Sequence, residues 1–171
     1  MDEPVETVWS GKYLIAKKRG TWEYVSRSRG IRAAVILAVD AGDVILVEQY
    51  RVPLGRACLE LPAGLVGDID AGETVEQSAQ RELEEETGYR ADNIENLGEF
   101  YSSPGMASES FTLVRATELT KASDGGGDGD ENIVVHRVPI TDIAAFVAAK
   151  RAEGLGIDVK LLLLLAGSIL G

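Results

Sequence analysis

The sequence predicts an α/β fold, an α/β/α sandwich on a mixed sheet, with a small antiparallel strand layer ahead of it. Three observations lead there. Short runs rich in Val, Ile and aromatic residues recur between turn residues. One amphipathic segment carries helix punctuation at both ends. Two more helical patterns close the chain. The length, 171 residues, suits one sizeable core, and 45% hydrophobic with 26% charged residues is ordinary for a globular protein.

Residues 5–9, 13–17 and 21–26 read as strands, with Ser10-Gly11 and Arg19-Gly20 as turns. Their few large apolar side chains bury little alone. Residues 1–30 are therefore expected to form a separate layer that packs on something else, such as a second subunit, with residues 31–171 as the main domain.

Continuous apolar runs at 31–39 and 43–50, turning at Asp40-Ala41-Gly42, read as a buried hairpin. A short strand at 58–61 ends at Pro62-Ala63-Gly64, and a polar loop spans 67–72. A helix follows. Thr74 and Gln77 have capping-box spacing, and Gly88 stands at the C-cap. Strands are expected at 97–101, 111–117 and 133–138, a flexible acidic glycine loop at 124–131, and helices at 141–153 and 158–169.

The net charge is −11, which argues against wrapping nucleic acid. An anionic substrate would need local Arg side chains or bound metal. Cys58 is the single cysteine, so no intramolecular disulfide is expected and a reducing, cytoplasmic setting follows. Met1-Asp2-Glu3-Pro4 does not read as a signal peptide. The apolar run at 161–166 falls far short of the ~20 residues of a membrane span.

The helix from residue 74 is the most informative segment. At ~100° per residue with Glu82 at zero, Glu86 lies at about 40° and Glu85 at about −60°. Val75, Ala79 and Leu83 form the apolar stripe, from about 20° to 100°. Glu82 and Glu86 thus border the buried face, where two carboxylates repel and are poorly solvated. Arg81 can pair with some of this charge, and a hard divalent cation suits the rest. Most Glu-rich helices are only solvated faces, so the wider spacing decides. From Gly67, five residues precede Glu73, seven more precede Arg81-Glu82, and Leu83, Glu85-Glu86, Gly88 and Tyr89 follow in fixed register.

This stretch resembles the complete Nudix box. The family hydrolyses nucleoside diphosphates linked to another moiety and has an α/β/α sandwich. The resemblance implies Glu82, Glu85, Glu86 and the Ala63 carbonyl as ligands for Mg²⁺, with Mn²⁺ able to substitute. Arg81 would orient the carboxylates, Glu73 would join that network, and Gly67 and Gly88 would serve backbone geometry.

Outside the box, Gly20-Thr21-Trp22-Glu23, Glu48-Gln49-Tyr50-Arg51-Val52-Pro53, residues 59–65 and Ser103-Pro104-Gly105 resemble the ADP-ribose and ADP-sugar pyrophosphatases. By that resemblance Arg51 reaches the diphosphate, Tyr13 and Trp22 sandwich adenine, Glu23 accepts from its amino group, and Arg27, Leu65 and Met106 contact the nucleotide. Glu131 is expected to activate water, with Glu85 and Glu109 as rivals. The expected reaction is hydrolysis of ADP-ribose, a nucleoside diphosphate sugar, to AMP and ribose 5-phosphate. The expected assembly is a homodimer whose N-terminal strands cross to the partner. No nucleic acid or membrane partner is expected. Alternatives are a Nudix hydrolase of a GDP-sugar, NADH or a dinucleoside polyphosphate, or a non-catalytic nucleotide sensor. His136 and Cys58 have no sequence neighbours that make them ligand or nucleophile.

Overall fold

Strands β1 (Glu6–Ser10), β2 (Leu14–Arg19) and β3 (Trp22–Arg27) form an antiparallel sheet of their own in the computed structural model. The structure describes residues 3–28, 30, 32–67, 72–127 and 131–171. The sheet is tied to the rest by residues 103–108. Val25 N–H donates to the Met106 carbonyl at 2.9 Å, Ser108 N–H donates to the Val25 carbonyl at 3.0 Å, and the Ser26 and Ser108 hydroxyls meet at 2.7 Å.

The main sheet begins with β4 (Arg32–Asp40) and β5 (Asp43–Arg51). Their sequence predicts a hairpin, yet they pair only at the turn, Val39 with Val44 and Asp40 with Asp43. They then diverge. β6 (Arg56–Glu60) pairs with β5, and β7 (Ala63–Val66) pairs with β4. The Pro62 carbonyl accepts from Ile36 N–H at 2.8 Å, so the chain crosses from one half-sheet to the other at Pro62-Ala63. Beyond helix α1 (Val75–Thr87), β8 (Tyr89–Tyr101) and β9 (Ser110–Lys121) form a long hairpin, with β9 parallel to β4. β10 (Val134–Pro139) pairs with β5 and leads to α2 (Ile143–Ala152). The short β11 (Gly156–Ile157) runs parallel to β6, and α3 (Leu162–Leu170) follows.

The sandwich follows from the two-residue period of β4. Ala34, Ile36 and Ala38 face α1, packing with Ala79 and Leu83. Val35 points the other way, into a core with Leu46, Leu59 and Leu61 from the sheet, Ile143 and Val147 of α2, and Leu161 and Leu165 near and in α3. Both faces of the sheet are therefore covered by helix, which is why its strands read as continuous apolar runs. Among the described residues no helix is long and apolar enough to cross a membrane. Part of the polar loop at 67–72, part of the acidic loop at 124–131, and Ile31 lie outside the described residues.

Candidate active site

The site lies where β4 and β5 part, with β7 on its floor and α1 along its side. α1 begins as its sequence requires. The Thr74 hydroxyl accepts from Gln77 N–H at 3.2 Å, and the Gln77 side chain accepts from Thr74 N–H at 2.9 Å. The helix ends at Gly88 with φ 73°. That fixed register sets the carboxylates.

Arg81 gathers three of them. Its Nε donates to Glu73 at 3.0 Å, and one Nη donates to Glu82 at 2.8 Å and to Glu85 at 3.0 Å. Glu86 is different. Only 7% exposed, its carboxylate accepts from Ala63 N–H at 3.1 Å. Burial pushes its carboxyl up to about 8, against the Ala63 bond and Arg51, with the charges of Glu82 and Glu131 pushing the same way as burial. Gly64 makes the close packing possible. A Cβ there would lie 1.9 Å from Cδ of Glu82, so only glycine lets that side chain cross β7.

A cavity of about 470 Å³ opens above this floor, lined by Glu82, Glu86 and Glu131 with Ala63, Gly64 and Leu65. Its cations are Arg27, Arg51 and Lys160. Arg51 holds buried Glu60 in a two-point pair, at 2.7 and 2.8 Å, while 42% of its own side chain stays exposed. Arg27 pairs with Glu109 at 2.6 Å. Lys160 is held by Asp158 at 2.7 Å and lies over the Phe111 ring.

The oxygen-only donors suit a hard divalent cation. Among the described residues no three His, Cys, Asp or Glu side chains form a ready-made ligand cluster. Glu82 and Glu86 border β7 instead, so backbone oxygen, water and substrate oxygens would complete the shell, as such an ion accepts. The raised Glu86 carboxyl reflects its burial first, with the neighbouring charges of Glu82 and Glu131 adding to it.

The other expected residues are scattered. Glu85 lines a neighbouring cleft with Arg81 and Glu84. Trp22 lines a second, more apolar cavity of about 570 Å³ with Tyr24, Pro104 and Gly105, which shares no lining residue with the acidic one. Tyr13 stands at the other end of the N-terminal sheet, its carbonyl accepting from Ser28 N–H, whereas Trp22 pairs with Arg19. Within one chain the two rings do not face each other. Glu23 and Met106 are exposed and line neither cavity. Sequence reasoning misses Glu60 and Lys160 at the site. Glu60 alternates with Leu59 and Leu61 in an otherwise apolar strand, and that is the available signal. Lys160 carries none.

The remaining chemistry is structural. The His136 ring meets Glu48 at 3.1 Å and Phe146 edge-on at 5.2 Å. Burial pushes the Cys58 thiol up to about 11, the wrong direction for a nucleophile.

A family model described as the NUDIX domain matches residues 28–156. The chain belongs to the Nudix family. Over 118 residues this Nudix chain is 39% identical to the ADP-ribose pyrophosphatase of Bacillus subtilis, covering 68% of the chain and 62% of that protein. Over 173 residues it is 33% identical to the GDP-mannose pyrophosphatase of Pectobacterium atrosepticum, covering 93% of the chain and 86% of that protein. The chain spans 61% to 63% of the length of three curated relatives, the Bacillus protein among them. Its fold matches a solved structure described as an ADP compounds hydrolase with a TM-score of 0.70, at 23% identity, covering 97% of this chain and 91% of that one.

Proposed function

We propose that this Nudix chain hydrolyses the diphosphate bond of ADP-ribose, or a related ADP-sugar, with Mg²⁺ or Mn²⁺. The observation that carries the reading is one cavity in which Glu82, Glu86 and Glu131 face Arg27, Arg51 and Lys160. Glu82 and Glu86, the Ala63 carbonyl and Glu85 would hold the ions. Bound metal supplies charge neutralisation of the diphosphate and a more acidic water.

The protein's own groups do the rest. Arg51, fixed by Glu60, offers its free edge to a phosphate oxygen. Arg81 holds Glu73, Glu82 and Glu85 in register. Glu131 takes the proton of the attacking water. Water adds to one phosphorus, the bridging P–O bond breaks, and AMP and ribose 5-phosphate leave.

Residues 1–30 form a dimerising layer in this reading, with 31–171 as the hydrolase domain. Val8, Trp9, Tyr13 and Trp22 are each more than half exposed, at 61%, 59%, 65% and 65%. A partner's strands would bring Tyr13 to a base that Trp22 stacks on, with Glu23, Arg27 and Met106 nearby. The single buried thiol fits a cytoplasmic setting.

The Pectobacterium alignment favours a second reading, a GDP-sugar substrate. Incubation with ADP-ribose and GDP-mannose together, with Mg²⁺ and product masses followed, separates the two. Preferential release of AMP supports the first reading. Preferential release of GMP replaces it with the second, and no product from either defeats both.

A further inference from the structure

The C-terminal end of α1 is capped twice. Gly88 closes it, its N–H donating to the Glu84 carbonyl at 2.8 Å. After β9 the chain returns to the same turn. Ala122 and Ser123 N–H donate to the Gly88 carbonyl at 2.8 and 3.1 Å. Gly126 N–H donates to the Glu86 carbonyl at 2.9 Å, and Gly127 N–H to the Glu85 carbonyl at 3.0 Å. Lys121 Nζ donates to the Thr87 carbonyl at 2.9 Å. Carbonyls of a last turn have no partner within their own helix, and here the loop supplies one.

Such an approach demands glycine. Gly125, Gly126 and Gly127 have φ of 69°, 109° and 78°. A Cβ on Gly125 would lie 2.4 Å from the Thr87 carbonyl carbon, and one on Gly88 would lie 2.1 Å from the Ser123 carbonyl oxygen. Both are backbone atoms that cannot swing away. On the far side of Glu131, Ile133 N–H donates to the Gly126 carbonyl at 3.1 Å. Gly127 meets the Glu131 side chain directly, since a Cβ there would lie 2.3 Å from Glu131 Oε2, 2.9 Å from Ile133 Cδ1 and 3.0 Å from the Glu131 Cβ.

We propose that Gly127 is a positioning residue for the hydrolysis. Its missing side chain leaves the space that the Glu131 carboxylate occupies, and its N–H fixes that space relative to the helix carrying Glu82, Glu85 and Glu86. The role rests on Glu131 being the group that activates water. A shift of about one ångström in such a group is enough to cost turnover.

Gly126→Ala is the control. Its φ of 109° lies further from the left-handed well than the 78° of Gly127, so its backbone strain is at least as great, but its Cβ would have open space, with the nearest atom, the Ile133 carbonyl oxygen, at 4.0 Å. Gly127→Ala should lower kcat by about tenfold or more with KM within about twofold, while Gly126→Ala stays within about threefold of the parent kcat. On a Glu131→Gln background Gly127→Ala should add less than about twofold, because the positioned group is already gone. Glu131→Asp, whose carboxylate is shorter, should recover part of the loss in Gly127→Ala. Equal losses in the two alanine variants, or full additivity with Glu131→Gln, overturn the proposal. If Glu131→Gln turns over normally, both the base and its positioning fall. If Glu131→Gln is slow and Gly127→Ala is normal, only the positioning falls. Should Gly127→Ala not fold, amide exchange of the parent protein decides. The Gly126 and Gly127 amides should exchange as slowly as the last turn of α1, and free exchange overturns the proposal.

Discussion

Replacing Glu86 with Gln should stabilise the metal-free protein while removing its activity. Glu86 is buried against β7, and burial, reinforced by Glu82 and Glu131, holds its carboxyl at about 8 against an ordinary 4.5. A carboxyl raised in this way keeps a proton in the fold that the unfolded chain has released. Stability therefore falls as pH rises from about 4.5 to about 8, and levels off above. At about 1.36 kcal/mol per pH unit, that gap amounts to about 3–4 kcal/mol lost between pH 5 and pH 8. In Glu86→Gln the new side-chain carbonyl oxygen would still accept the Ala63 N–H, and the group would carry no charge. The assay is urea unfolding with a chelator present, at several pH values, for parent and Glu86→Gln. The parent should lose stability towards pH 8 and the variant should hold it. Adding Mg²⁺ should restore the parent at pH 8 and leave the variant nearly unmoved, because an ion that binds only the folded state stabilises it. Parallel pH curves for the two proteins would refute the argument.

Gly64→Ala should displace Glu82, whose Cδ would lie 1.9 Å from the new Cβ. A kcat loss of about tenfold or more with little change in melting is expected, read from kinetics and calorimetry side by side. Trp22→Ala should raise KM more than it lowers kcat, because the exposed ring would serve binding and not the reacting bond; an unchanged KM removes the stacking role. Lys160→Ala should raise KM several-fold and flatten its dependence on salt, since Lys160 is one of three cations in the acidic cavity. Thr74→Ala loses the capping box and should cost about 1 kcal/mol, seen as a melting point lower by about 2–4 °C, with kcat retained.

The carboxylate helix is legible in the sequence because its signals are local. The cap, the apolar stripe and the terminal glycine all lie within one segment, and α1 runs between the expected caps. β8 is longer than expected, starting at Tyr89 and not at 97. Its first half turns Ala91 and Ile94 inward three residues apart, so the two-residue period is broken, and Asp92, Asn93 and Glu95 on its exposed positions have low strand preference. β7 and β11, of four and two residues, are too short for a periodic pattern. The parting of β4 and β5 is invisible too, because a strand covered on both faces carries no mark of which edge it pairs through. At the site, Arg81 and the box carboxylates can be placed from spacing. The Arg27 and Glu109 pair joins residues 82 apart, and Lys160 meets Phe111 across the sheet, so both depend on the tertiary fold.

In the proposed function, carboxylates of α1 hold the metal that drives diphosphate cleavage. The most direct test is Mg²⁺-dependent turnover of ADP-ribose by the parent and by Glu86→Gln, with products identified by mass and melting followed in the same samples. The parent should release AMP and ribose 5-phosphate only with added metal. The variant should turn over slower by orders of magnitude, at equal or higher melting temperature. Near-parent turnover in a folded Glu86→Gln protein would contradict the claim.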